Sequence, residues 1–118
     1  MIKKSSQQDI EIRENMRAGS GNVAIKYYLK KDEINAPCRL CAQLTLAPGS
    51  SIGLHEHIEE DEIFIIQEGC GIVDDNGREA QVCAGDVILT GRGAKHAIKN
   101  TGDRDLVITA VILPYRKV

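Results

Sequence analysis

The chain has 118 residues, enough for one hydrophobic core and too few for two ordinary domains. A formal charge of -2, 3% aromatic residues and no Trp exclude a basic face for a polyanion and a stacking platform for bases. No amphipathic helical stretch offers a helix-turn-helix, so nucleic acid is not an expected partner.

The opening MIKKSSQQDIEIREN carries two lysines with no apolar run behind them, unlike a signal peptide. No segment approaches the length of a membrane span. A cytoplasmic protein with no membrane partner is expected, and its four cysteines are then expected as thiols. Residues 1–22 are polar and end in RAGSGN, which reads as an N-terminal arm before a domain over residues 23–118.

From Val23 the chain alternates short apolar segments with turn residues. VAIKYYL is the first predicted strand and RLCAQLTL the second, both rich in residues that suit a pleated surface. In the second, Leu40, Ala42, Leu44 and Leu46 share one apolar face, predicted to point inward. Arg39, Cys41, Gln43 and Thr45 then face outward, onto solvent or a dimer interface. Cys38 and Cys41 form a CxxC, but three residues apart on a strand they point to opposite faces and do not chelate one ion.

After APGSS comes GLHEHIEEDEIF, in which four acidic residues fall within five positions behind two histidines. On a strand His55 and His57 project to one face. Glu62 opens the next strand, EIFIIQ. With IEED as a turn between antiparallel neighbours, its carboxylate meets the two imidazoles across the ladder. Glu59, Glu60 and Asp61 are then expected in the turn, facing solvent. Two imidazoles and a carboxylate converging in this way are a plausible start for a metal site.

GIV and AQV flank DDNG. A two-residue turn at Asn76-Gly77 sets Cys70 opposite Cys83, and a longer loop separates them. DVILT follows AGD. GRGAKHAIKN then places His96, the remaining histidine, at the head of another short strand after a glycine-rich turn. Arg92 and Lys95 there read as solvated loop charges. LVITAVIL closes the series, and the whole is an all-β sandwich or barrel.

The spacing resembles the two motifs of the cupin superfamily. Gly49, His55, His57, Glu62 and Gly69 match the first motif without adjustment. Gly85, Gly93, His96 and Asn100 match the second, with Gly91 where proline is usual, a change that loosens the turn before His96. The resemblance implies a small single-domain cupin: a double-stranded β-helix, or jelly roll, with a metal inside one end of the barrel. By the same resemblance His55, His57, Glu62 and His96 are the ligands of one divalent transition ion. Mn, Fe, Ni, Zn and Cu all suit such a set. A six-coordinate ion keeps two positions open there, and the positive centre favours an anionic small molecule. Phe64 and Ile66 share the face of Glu62, and Ile98 that of His96, so these three are expected to line the pocket. A homodimer is expected, with the arm and exposed strand edges at its interface. Two functions follow: a metalloenzyme (oxygenase, isomerase or decarboxylase) acting on a small carboxylate or sugar derivative, or a non-catalytic ligand-binding or sensing module. The full ligand set favours the enzyme.

Overall fold

The structure, a computed structural model, describes residues 1–116; residues 117 and 118, the end of the expected 23–118 domain, lie outside the described residues. Among the described residues ten strands run in order: β1 (Ile10–Glu14), β2 (Asn22–Leu29), β3 (Leu40–Leu46), β4 (Ser51–Glu56), β5 (Glu60–Glu68), β6 (Cys70–Asp75), β7 (Arg78–Cys83), β8 (Val87–Thr90), β9 (Lys95–Lys99) and β10 (Leu106–Pro114). They form a six-stranded sheet, β1-β2-β3-β10-β5-β8, facing a four-stranded sheet, β4-β9-β6-β7. This is the all-β jelly roll that the resemblance implies. Among the described residues no helix is long and apolar enough to cross a membrane.

The inward faces alternate as the strand period requires. Across the six-stranded sheet, Ile25, Leu44, Ile108 and Ile66 lie side by side in register, each at most 2% exposed. In the next row Ala42 and Ala110 sit beside Phe64, two small residues next to one large ring. Ile52, Val73 and Ile98 close the core from the other sheet. The row nearest the barrel mouth runs Leu40, Ile112, Glu62, Thr90, so an apolar layer ends in a carboxylate and a hydroxyl.

Two elements differ from the sequence-based expectation. Within the arm, β1 pairs with β2 and becomes the edge of the larger sheet. Its alternation is Ile10, Ile12 outward against Glu11, Arg13 inward, too short and too charged to stand out as a strand by pattern alone. The second difference concerns the cysteines. Asn76 (φ 52°) and Gly77 (φ 92°) make the tight two-residue turn, and Cys70 falls opposite Cys83. The expected thiols are instead a disulfide, because the hairpin register brings their Cα atoms to 4.1 Å. Cys38 and Cys41 are free.

Candidate metal centre

The site begins with a fault in strand pairing. On β4, Ile52 faces Ile98 of β9, and His55 faces His96, so three steps on one strand match two on the other. The extra residue is a bulge, which switches the phase of the strand. Ile52 therefore stays in the core while His55, three residues on, also points inward. His57 follows just past the strand end. Its backbone accepts from Gly93 N–H at 2.8 Å and donates to Ala94 carbonyl at 3.0 Å, tying it to the turn that presents His96. At Gly91 that turn is closely packed. The Asp61 carboxylate occupies the place of a Cβ there, and Tyr115 hydroxyl bridges Asp61 (2.6 Å) and Arg92 N–H (3.0 Å).

Glu62 reaches the histidines from the opposite sheet. The stretch between His57 and Glu60 crosses between sheets and is no hairpin turn, which corrects the expected ladder contact. Glu60 is corrected too. It lies within β5, accepts from His57 Nδ1 at 2.6 Å, and takes both ends of a bidentate Arg39 pair at 2.8 and 2.9 Å. Arg39, expected to face outward, thus turns to the cavity rim. A carboxylate three residues from a histidine is visible in the sequence, but choosing Glu60 over Glu59 and Asp61 requires the sheet crossing.

Each imidazole is anchored through Nδ1. His55 donates to the bulge carbonyl of Gly53 (2.7 Å), His57 to Glu60, and His96 meets Thr90 hydroxyl (2.8 Å). For neutral His55 and His57 this fixes the proton on Nδ1 and leaves the Nε2 lone pair pointing inward. Phe64 stacks on the His96 ring, with centroids 4.8 Å apart and planes 15° off parallel. The Nε2 atoms of His57 and His55 each lie 3.1 Å from that of His96. Glu62 Oε1 is 2.9 Å from Nε2 of both His57 and His96, and 4.0 Å from that of His55.

These groups fit a cation. Inward lone pairs set against a carboxylate oxygen repel unless positive charge lies among them. With metal–nitrogen bonds of about 2.1 Å, ligands at right angles stand about 3.0 Å apart and ligands at the tetrahedral angle about 3.4 Å. The separations of 2.9 and 3.1 Å match the right-angled spacing of a six-coordinate ion. His55, His57, Glu62 and His96 could hold one, with His57, Glu62 and His96 buried. The cavity above them is ≈ 620 Å³. Phe64 lines it, whereas Ile66 and Ile98 are buried in the core and are not among its lining residues. Glu11, Arg13 and Tyr27, which sequence reasoning did not connect with the site, line the same cavity.

The charges respond to this packing. Burial pushes the Glu62 carboxyl up, but the three histidines around it, which favour the carboxylate whenever their Nε2 atoms carry protons, outweigh burial and hold the group far below the usual carboxylate range. Arg39 does the same for Glu60 against partial burial, with help from His57. For His57, burial lowers the pKa but Glu62 and Glu60 prevail and raise it; for His96, burial prevails and lowers it. Both carboxyls bind protons less readily folded than unfolded. The stability they contribute is present above the unfolded carboxyl pKa of about 4.3 and is lost as pH falls below it. Metal-free protein should therefore melt at falling temperature as pH drops from about 5 to about 3, and Glu62→Gln should flatten that decline. Thermal melting with chelator present measures both slopes, and equal slopes would remove Glu62 from the account.

Comparison with known proteins agrees with the geometry. A family model described as "Cupin domain" matches residues 42–112. The "Oxalate-binding protein" of Thermotoga maritima is 43% identical over 113 residues, covering 96% of this chain and 93% of that protein. The crystal structure of a "predicted oxalate decarboxylase" from Thermotoga maritima is also 43% identical, with a TM-score of 0.92 over 97% of this chain and 99% of that one. The polyketide cyclase RemF from Streptomyces resistomycificus, at 18% identity and a TM-score of 0.76 over 98% of this chain and 81% of that one, shares the fold. The chain belongs to the cupin family.

Proposed function

We propose that this chain is a mononuclear metal cupin that binds a small carboxylate anion of the oxalate class, and that it turns its ligand over. His55, His57, Glu62 and His96 hold one divalent transition ion. The observation that carries this reading is the set of Nδ1-anchored imidazoles aimed at one carboxylate oxygen. When bound, the ion supplies positive charge and Lewis acidity for a carboxylate at its open positions.

The cavity charge supports an anion. Arg13, Arg17, Lys30, Lys31 and Arg39 line it. Glu11, Asp9 and Glu60 neutralise Arg13, Lys30 and Arg39. Arg17 and Lys31 have no carboxylate partner among the described residues, so the mouth is net positive and draws anions in. Turnover is favoured over binding alone by Tyr27 and Glu11. The phenol donates to the carboxylate at 2.7 Å, which sets a hydroxyl and a carboxylate in the cavity that His55, His57 and Glu62 also line. Binding without turnover is the second reading, supported by the name of the Thermotoga relative.

Elemental analysis after loading with Mn(II) should find one ion per chain, and His57→Ala should lose most of it. Glu60→Gln should retain the fold but weaken metal affinity about 10- to 100-fold, because it loosens the hold on His57 Nδ1. Stoichiometric metal in His57→Ala would overturn the ligand assignment. Oxalate offered to the loaded protein should yield carbon dioxide and formate, and tight binding with no product would establish the binding module instead.

The chain is also proposed to form a homodimer through the outer face of the six-stranded sheet, with β1 included. Register aligns Cys41, Val111, Ile63 and Leu89 in one outward row, and Ile65 beside Val87 in the next. Val87 and Leu89 are each 62% exposed, and Ile10 and Ile12 form a second exposed apolar patch on β1, beyond Lys26, Gln43 and Thr109. Exposed apolar patches of this kind mark interaction surfaces. Light scattering should show a dimer for the parent chain and a monomer for Leu89→Arg; an unchanged dimer would move the interface elsewhere.

A further inference from the structure

The cavity is too large for the smallest ligand of its class. A dianion of six non-hydrogen atoms displaces about three to four waters, roughly 100 Å³ at about 30 Å³ each. The cavity is ≈ 620 Å³, so such a ligand covers the metal-binding floor and leaves most of the space to solvent. The wall beyond the floor comes from Glu11, Arg13, Arg17 and Tyr27. All four lie outside residues 42–112, whereas the four proposed ligands lie inside that span. The family model thus covers the floor, and residues that precede its span build the wall.

On that wall Glu11 is already satisfied, one oxygen by Tyr27 (2.7 Å) and the other by Arg13 (2.6 Å). Arg17 is not. Its side chain has no hydrogen-bond or ion-pair partner among the described residues, and it borders the cavity. Its backbone is held in place at a cost. Asn15 (φ 50°), Arg17 (φ 55°) and Ala18 (φ 63°) are all left-handed, a conformation such residues rarely adopt and keep only where the surroundings impose it. Here the surroundings do impose it. Met16 packs on the core, and the Arg17 carbonyl sits against Gly53 with no room for a Cβ, as does Gly19 against the Ser51 carbonyl. The turn is thus fastened to β4, the strand that carries His55.

We propose that Arg17 is the second anion-binding residue of the pocket, and that the ligand is a dicarboxylate longer than oxalate, with one end at the metal site and the other at Arg17. Arg17 lines the same cavity as His55, His57 and Glu62, and its ≈ 620 Å³ admits a dicarboxylate of about four to six carbons. The inference rests on the metal-bound carboxylate proposed above and adds the length of the ligand and the residue that measures it.

The test is calorimetric titration of Mn(II)-loaded protein with oxalate, malonate, succinate, glutarate and adipate. Affinity should rise at least tenfold from oxalate to a maximum among the three longest. Arg17→Gly removes the guanidinium and suits the left-handed backbone, so it keeps the fold. It should lower the affinity for the long acids at least tenfold more than that for oxalate, and Arg17→Lys should restore part of the difference. Affinity that falls steadily with length, or an Arg17→Gly variant that binds the long acids as tightly as the parent, overturns the assignment of Arg17 and leaves the metal-site reading intact. If no member of the series binds, oxalate included, or if all bind equally well to metal-free protein, the metal-bound carboxylate falls and this inference falls with it.

Discussion

Three imidazoles facing one carboxylate oxygen, with each ring gripped from behind, are the constraint on which the rest of this structure depends. The outer nitrogens are taken by a backbone carbonyl, a carboxylate and a hydroxyl. The inner nitrogens are left to converge at spacings of 3.1 Å, a poor arrangement in the absence of positive charge and a good one around an ion. The grip also orders the rings before any ligand arrives, so little conformational freedom remains to be lost on binding. Phe64 adds to this order from below, since its ring stacks on His96 at the top of the apolar core.

Holding the four groups together requires both sheets. Glu62 and Thr90 are neighbours on the larger sheet, and His55 and His96 are neighbours on the smaller one. The bulge on β4 turns His55 inward without surrendering Ile52 to solvent. Asn100, fully buried, donates to the carbonyls of Leu46 and Arg104 and accepts from Gly102 N–H. It fixes the end of β9 against the larger sheet. Its place in the motif is thus structural.

The rim has a different origin from the floor. Residues 10–29 supply Glu11, Arg13, Arg17 and Tyr27, and Arg39 joins them from just before β3. The arm is therefore a wall of the pocket as well as an edge of the sheet. One short strand does both because its alternation sends Ile10 and Ile12 to the outer face and Glu11 and Arg13 to the inner one.

Much of this was legible in the order of residues. Alternating apolar positions mark most strands and their inward faces, as at Leu40, Ala42, Leu44 and Leu46, because a period of two leaves one face for the core. Asn76-Gly77 sets the hairpin register by its own backbone preference, and with it the opposition of Cys70 and Cys83. The glycine, histidine and glutamate spacing implied the family, its fold and its ligand set. Whether Cys70 and Cys83 are joined, that Glu60 alone among its acidic neighbours holds His57, that Arg39 turns to the rim, and that β1 reaches the pocket were decided by tertiary structure. The last three depend on which strands lie opposite across the barrel, and local spacing carries no information about that; the joining of the two cysteines depends on how close the hairpin brings them. A strand period states that a residue points to one face or the other; what it meets there is settled only when the second sheet closes over the first.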